Sequence, residues 1–282
     1  MENNKFFKNY KGLYISELQR IYYKKSTLAC FLSIPILLIA SVKYYLSVNK
    51  VVSISNPMFT SFYNFPVAAM QEQLMLGLNL VVVFLIVLSV TQEFRNGSIR
   101  MVLIRSYKPT QVFLAKIVTI ISAIFIYLVT YLVLSYIIGY LTLPKINEIA
   151  IFNWEPLLTG NQAFIYTLKY YSFAFLTLST MAIVIFFIAT ISKSTIIASG
   201  VSLATLLLFI IYPFIIQIFF FDSENLKILQ LISITQIQYE GIALSLGQNS
   251  IHLGFSLLVS LAYITVFFIG NYVIYNRCDN LI

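Results

Sequence analysis

The sequence predicts an all-α integral membrane protein with six transmembrane helices. Of its 282 residues, 60% are hydrophobic and 10% are charged, with a mean hydropathy of +0.88. Soluble domains carry about 25% charged residues, because their surfaces face water. Several apolar runs also approach or exceed the roughly 20 residues that a helix needs to cross a bilayer. Runs such as LNLVVVFLIVLSV are apolar on every face, whereas the strands of a membrane barrel alternate, so helices are favoured.

Six segments are predicted to cross the membrane. They are residues 26–48, 74–90, 112–141, 170–191, 195–221 and 251–275. The connections between them are shorter than the roughly 50 residues of a soluble domain. Residues 1–282 therefore form a single transmembrane domain. Pro35 in the first helix and Pro213 in the fifth each remove a backbone donor, which predicts a kink.

Residues 1–25 are predicted to form an amphipathic helix in the membrane interface. Apolar and aromatic side chains recur there at helical spacing, and the basic side chains lie off this stripe. The stripe consists of Phe6, Phe7, Tyr10, Tyr14, Leu18, Ile21 and Tyr22. The alternative is an ordinary cytoplasmic tail with a positive flank.

The positive charges lie mostly on one predicted side of the membrane. They precede the first predicted helix, and they follow the second, the fourth and the sixth. The positive-inside rule therefore places both termini in the cytoplasm. The net charge of +8 is accounted for by this distribution. Membrane lipid is therefore predicted as a partner, and nucleic acid is not.

Two predicted external connections are longer than a turn requires. These are residues 142–169 and 222–250. The second is apolar but is interrupted by Gln230, Gln236, Gln238 and Glu240. It is too polar for a seventh crossing, and we predict one or two short helices that dip into the outer leaflet.

A polar and basic segment, residues 91–109, separates the second and third predicted helices. It contains Glu93, a turn at Asn96 and Gly97, and a short apolar and basic stretch that begins at Ser98. This is longer and more patterned than a simple turn, which favours a docking element. The alternative is a surface helix that rests on lipid headgroups through its arginines.

Few residues in this chain carry catalytic or transport chemistry. No glycine is followed by lysine, so a Walker loop is missing. The single histidine, His252, and two separated cysteines do not make a zinc site or a catalytic triad. Asn79 and Gln217 are the notable polar groups within the predicted helices and are candidate pathway residues. We predict that the chain is not an enzyme and has no metal site.

The segment Glu93 to Ile104 resembles the cytoplasmic loop of ABC type-2 exporter permeases. That loop carries E-x-x-x-G-[TS], a short apolar helix, a small-polar turn and a lysine that opens the third helix. The matching residues are Glu93, Gly97, Ser98, Ile99, Leu103, Ser106 and Lys116. The proline that commonly follows the short helix is displaced here to Pro109. Weaker similarities are Glu17-Leu18, Lys24-Lys25 and Pro35 near the start, and the tail after Tyr275.

The resemblance implies a mechanism. Six helices would form half of a transmembrane unit, and two subunits would pair as a homodimer or a heterodimer. Each would dock on a cytoplasmic ABC ATPase, which would hold the ATP and Mg that this chain does not bind. The docking element would be a coupling helix between helices 2 and 3. Its expected ATPase-coupling residues are Glu93, Arg95, Gly97, Ser98, Ile99, Arg100, Val102 and Leu103.

The resemblance also implies a function. The expected role is export of an amphipathic substrate from the bacterial cell, such as an antimicrobial peptide, a drug or a lipid-like molecule, by a multi-pass permease in the cell membrane. One alternative is a non-transporting membrane immunity or anchor protein that binds a toxin peptide. Another is an intramembrane lipid-modifying enzyme.

Overall fold

The fold is mostly helical. The computed structural model describes residues 2–54, 56–95, 109–146, 149–152, 154–192, 194–221, 225–248, 250 and 252–277, with the backbone alone at residues 2–11, 92–95, 155, 156 and 277. The helices are α1 (Glu2–Tyr22), α2 (Lys25–Val48), α3 (Phe65–Gln73), α4 (Asn79–Arg95), α5 (Pro109–Thr142), α6 (Gly160–Ser192), α7 (Thr195–Phe219), α8 (Leu226–Gln230), α9 (Ile234–Gln236), α10 (Ile242–Leu246) and α11 (Leu253–Arg277). Two π-helical segments, Leu74–Leu78 and Ile237–Gly241, join α3 to α4 and α9 to α10.

In the part of the chain that the structure describes, six helices are long and apolar enough to cross a membrane. They are Lys25–Val48, Phe65–Thr91, Pro109–Thr142, Gly160–Ser192, Thr195–Phe219 and Leu253–Asn276. The predicted number is confirmed. The helix α6 lies at the centre, where 72% of its most apolar window is buried, compared with 17% for α7 and for α11. The outer faces of α7 and α11 are therefore apolar and open.

The second helix was predicted to begin at residue 74, and this is wrong. Helical structure begins at Phe65, with Pro66 in the first turn, where its missing N–H removes no helical hydrogen bond. Three tyrosines secure this turn. The hydroxyls of Tyr45, Tyr131 and Tyr171 donate to the backbone carbonyls at positions 68, 69 and 66, each at 3.1 Å. Tertiary hydrogen bonds thus support a start that hydropathy alone does not predict.

The fourth predicted helix also begins earlier than expected, at Gly160 rather than at residue 170. The side chain of Gln162 accepts hydrogen bonds from the Thr159 amide at 2.9 Å and from the Thr159 hydroxyl at 3.1 Å. This is one half of a capping box, in which a Gln three residues into the helix reaches back to the N-cap. The pattern T-x-x-Q marks the true start.

The all-α prediction needs one correction. Strands β1 (Ile149–Ile151) and β2 (Trp154–Leu158) form an antiparallel hairpin, with Ile149 opposite Leu158 and Ile151 opposite Trp154. Both Ile149 and Leu158 are buried. The hairpin packs on α6, so part of the connection at 142–169 belongs to the folded core.

The N-terminal helix α1 packs on α5. Among residues 12–22, whose side chains the structure describes, the buried positions are Leu13, Glu17 and Ile21. They are four residues apart and therefore share one face. Of these, only Ile21 belongs to the predicted apolar stripe, and the stripe did not include an acid. The face is turned to the protein and carries a carboxylate, and a position in the membrane interface stays a prediction.

The predicted short helices between the fifth and sixth spans are present as α8, α9, the second π-helical segment and α10. These helices pack into the protein and do not lie only on its surface. Ile234, Ile237 and Ile242 are completely buried, and the segment contacts α3, α6, α7 and α11. Gln230 and Gln238 are accordingly partners for the surrounding helices.

Candidate functional site at one end of the helix bundle

The ends of α1, α2, α4 and α5 meet at a group of charged side chains. This helix-end cluster consists of Glu17, Arg20, Lys24 and Lys116. Its members come from α1, from the residue before α2 and from the third turn of α5. The sequence alone does not reveal the cluster, because Glu17 and Lys116 are 99 residues apart.

The centre of the cluster is a buried ion pair. The Lys116 ammonium donates to Glu17 Oε2 at 2.9 Å, and the two side chains are 5% and 3% exposed. Removing two charges from water costs several kcal/mol per ion, and a close pair offsets this only while both partners remain. The pair therefore fixes α1 to α5 at one point.

Arg20 also pairs with this carboxylate, and Lys24 makes a separate contact with α4. Arg20 Nη1 donates to Glu17 Oε1 at 3.2 Å, so each oxygen of the carboxylate accepts from a different base. Lys24 Nζ donates to the backbone carbonyl of Ser89 at 3.3 Å. This bond fastens the residue before α2 to α4.

Hydroxyl groups extend the cluster towards α7. The Thr91 and Thr195 hydroxyls lie 2.9 Å apart, and Thr91 is completely buried. This bond joins the last turns of α4 to the first turn of α7. Next to the cluster, burial raises the pKa of the Tyr22 phenol, and the neighbouring Tyr14 adds to the shift.

The cluster borders the segment that the sequence singled out. Helix α4 ends at Arg95 and α5 begins at Pro109. Of the predicted coupling residues, Glu93 and Arg95 lie in the last turns of α4, with only their backbone described. The others, Gly97, Ser98, Ile99, Arg100, Val102 and Leu103, lie outside the described residues. At 1.5 Å per helical residue, Ser89 is within about 10 Å of the end of α4, and Lys116 is within about 10 Å of the start of α5.

The comparison with protein families gives one match. Residues 20–281 match the family described as "Protein of unknown function (DUF2705)". The chain belongs to this family. No curated protein matches it. Within the cluster, Arg20, Lys24 and Lys116 fall inside the matched range and Glu17 lies just before it.

In this DUF2705 chain, the two candidate pathway residues lie in different environments. Asn79 is completely buried, whereas Gln217 is exposed near the end of α7. Because nothing can pass a side chain with no exposed surface, Asn79 does not line an open pathway in this conformation. The structure does not bring the two residues together as one site.

Asn79 instead joins two π-helical segments. Its Nδ2 donates to Gln238 Oε1 at 2.6 Å and to the carbonyl of Met75 at 2.9 Å. Gln238 Nε2 is 3.4 Å from Asn79 Oδ1, and Gln238 is also completely buried. We call Asn79 and Gln238 the amide pair. π-Helical turns recur at functional positions, and here two of them are held together.

A second fastening lies at Pro213, and sequence reasoning did not predict it. Proline has no N–H, so the carbonyl of Phe209 loses its helical donor. The Ser233 hydroxyl donates to that carbonyl at 2.6 Å, and Gln230 Nε2 donates to the Pro213 carbonyl at 3.3 Å. The proline itself is the sequence signal, because it implies that the carbonyl four residues earlier has no helical donor.

Among the described residues, no three His, Cys, Asp or Glu side chains lie close enough to hold a metal ion. The contacts described above are hydrogen bonds and ion pairs. The helix-end cluster joins four helices through charge, and the amide pair and Pro213 join the 226–246 segment to the helix bundle through neutral donors.

Proposed function

We propose that this DUF2705 protein is the membrane-spanning permease subunit of an ATP-driven exporter of the ABC type-2 class. The observation that carries the proposal is the position of the helix-end cluster. It connects α1, α2, α4 and α5 on either side of residues 91–109, a segment whose sequence resembles the coupling loop of that class.

A coupling element transmits a movement only if the helices at its two ends are held firmly. Lys116 ties the start of α5 to α1, and Lys24 ties the end of α4 to α2. A push on the intervening segment would therefore move several helices together. The ion pair of Glu17 with Lys116 resists separation, because parting it would leave charge in a poorly solvated place.

The driving energy would come from a separate chain. A cytoplasmic ABC ATPase would hold ATP and Mg, and Glu93 would accept hydrogen bonds or pair with a base on that partner. Ile99, Val102 and Leu103 would pack into a groove of the ATPase, in the way that amphipathic helices do. The basic helix-end cluster would lie on the cytoplasmic side, which follows the positive-inside rule.

A second permease subunit would complete the transporter. The open apolar faces of α7 and α11 offer surface for it and for lipid. The substrate would be amphipathic, such as an antimicrobial peptide, a drug or a lipid-like molecule, since the helices expose apolar and aromatic side chains and few charges. Both termini would be in the cytoplasm of a bacterial cell.

Affinity purification from native membranes tests the partnership. Tagged wild-type chain should recover a protein with a Walker loop in near-stoichiometric amount. Glu93→Lys should reduce that recovery at least tenfold, because it reverses the charge offered to the ATPase. Glu240→Lys is the matched control. Glu240 forms a solvent-exposed pair with Lys227, and both residues are far from Glu93 in the sequence.

Two outcomes would contradict the proposal. In one, the purified chain moves substrate in vesicles with no ATPase present. In the other, protection against a toxin peptide persists in cells whose ATPase is inactive, which would favour a non-transporting immunity protein.

A further inference from the structure

A cavity of about 830 Å³ opens between β2, α6, α10 and α11. Its walls are largely apolar and include Phe173, Leu176 and Leu257. Ligand pockets in proteins commonly occupy about 300–1,000 Å³ and combine apolar walls with a few polar groups. The size and lining of this cavity fit that description.

Among the described side chains that line the cavity, Lys169 is the only one with a formal charge. It lies about 14 Å from the start of α6 and about 35 Å from its end, at 1.5 Å per residue. Because the hydrocarbon core of a bilayer is about 30 Å thick, the apolar part of α6 after Lys169 is long enough to cross it. Lys169 is then at headgroup level, with Phe173 and Leu176 one and two turns deeper.

The cavity also has an open side. Ile165 and Leu168 line it and are 54% and 44% exposed. Both lie at or outside the level of Lys169, so this part of the mouth is at headgroup level. Ser172, which is exposed, and Leu176, which is half-buried, line the cavity deeper than Lys169. The opening therefore continues below headgroup level, where an acyl chain can enter it from the leaflet.

Ser245 supplies a second, independent observation. It lines the cavity, it is 1% exposed, and its hydroxyl has no hydrogen-bond partner among the described residues. Buried polar groups without partners are uncommon and call for an explanation. By contrast, Ser172 also lines the cavity, and its hydroxyl donates to the carbonyl of Leu168 at 2.8 Å.

We propose that this cavity binds an anionic phospholipid. One acyl chain occupies the apolar interior, the phosphate pairs with Lys169, and the hydroxyl of Ser245 donates to an acceptor oxygen of the lipid, such as an ester carbonyl. A zwitterionic lipid would bring a cation close to Lys169, so anionic headgroups are preferred. This inference needs the helices in a bilayer but does not rest on an ATPase partner.

The single tryptophan of the chain, Trp154, lines the same cavity and reports on it. The full-length protein in detergent is titrated with phosphatidylglycerol that carries bromine on its acyl chains, and separately with brominated phosphatidylcholine. Bromine quenches indole fluorescence at short range. Half-maximal quenching should require at least fivefold less phosphatidylglycerol than phosphatidylcholine.

Lys169→Gln should abolish that preference. Lys145→Gln should retain it, because Lys145 is exposed and lies over the Tyr140 ring, 3.4 Å from its centroid. Ser245→Ala should weaken quenching by phosphatidylglycerol several-fold, and Ser172→Ala should not. Thermal unfolding of each variant establishes that it is folded before titration.

Three results would overturn the assignment. Equal quenching by the two lipids would remove the headgroup preference. A preference that survives Lys169→Gln would remove the role of Lys169. Saturable changes in Trp154 fluorescence with an amphipathic peptide but not with phosphatidylglycerol would make the occupant a transported molecule instead of a lipid.

Discussion

The helix-end cluster and the amide pair fasten the molecule in two different ways. The first uses full charges from α1 and α5, with Glu17 and Lys116 almost completely buried. The second uses neutral amides between two π-helical segments, with Asn79 and Gln238 completely buried. Both are long-range contacts, but they differ in the cost of breaking them.

That difference sets what each region can do. A buried charge pair is costly to separate, so the helix-end cluster should move as one unit. Neutral hydrogen bonds contribute about 1 kcal/mol each, and π-helical turns recur at functional positions. The helix-end cluster suits the transmission of force, and the amide pair suits adjustment.

The largest expected effect follows removal of the buried carboxylate. Glu17→Gln keeps the size of the side chain but removes the charge that neutralises Lys116. The free energy of unfolding should fall by about 3–5 kcal/mol, the usual cost of breaking a buried pair. Thermal unfolding of the purified protein in detergent measures it.

An exposed ion pair provides the matched control for this change. Glu240→Gln removes a carboxylate whose side chain is 40% exposed and pairs with Lys227, and exposed pairs contribute about 0–1 kcal/mol. The double variant Glu17→Gln with Lys116→Met should recover most of the lost stability. Equal effects of Glu17→Gln and Glu240→Gln would show that the Glu17 pair is not buried as described.

A smaller effect is expected at the amide pair. Asn79→Leu leaves the buried amide of Gln238 without its partner, which should cost about 2 kcal/mol. Gln217→Leu, on the exposed end of α7, should change stability by less than about 0.5 kcal/mol. Denaturant titration compares the two variants, and a double cycle with Gln238→Leu should show coupling. Additive effects would contradict the bond between Asn79 and Gln238.

The smallest effect is expected at Pro213 in α7. Ser233→Ala removes the donor to the Phe209 carbonyl and should cost about 1 kcal/mol. The same change in a Pro213→Ala background should cost nearly nothing, because alanine restores the helical N–H that this carbonyl lacks. If Ser233→Ala costs the same in both backgrounds, its hydroxyl does not replace the missing donor.

The sequence predicts the helices well but predicts two of their starts wrongly. Hydropathy identifies six spans, because apolar length is a local property. The starts at 74 and 170 are wrong because Pro66 and the Thr159–Gln162 cap begin helices before the apolar runs do. Proline in the first turn and the T-x-x-Q pattern are local signals for both starts.

The contacts of the site could not be predicted in the same way. A lysine near the start of an apolar helix implies a partner but does not identify Glu17, which lies 99 residues away. Gln238 was read as a residue that makes its segment too polar to cross, whereas it is the partner of Asn79. These pairings depend on how the helices pack, which no single segment encodes.

If this chain is an exporter permease, the segment 91–109 contacts an ATPase. A photo-crosslinking amino acid at Val102 tests it directly in living cells, with the same group at exposed Leu208 of α7 as the control. Val102 should yield an adduct with a Walker-containing ATPase, and Leu208 should not. An adduct with lipid alone at Val102, in a strain where the tagged chain is functional, would contradict it.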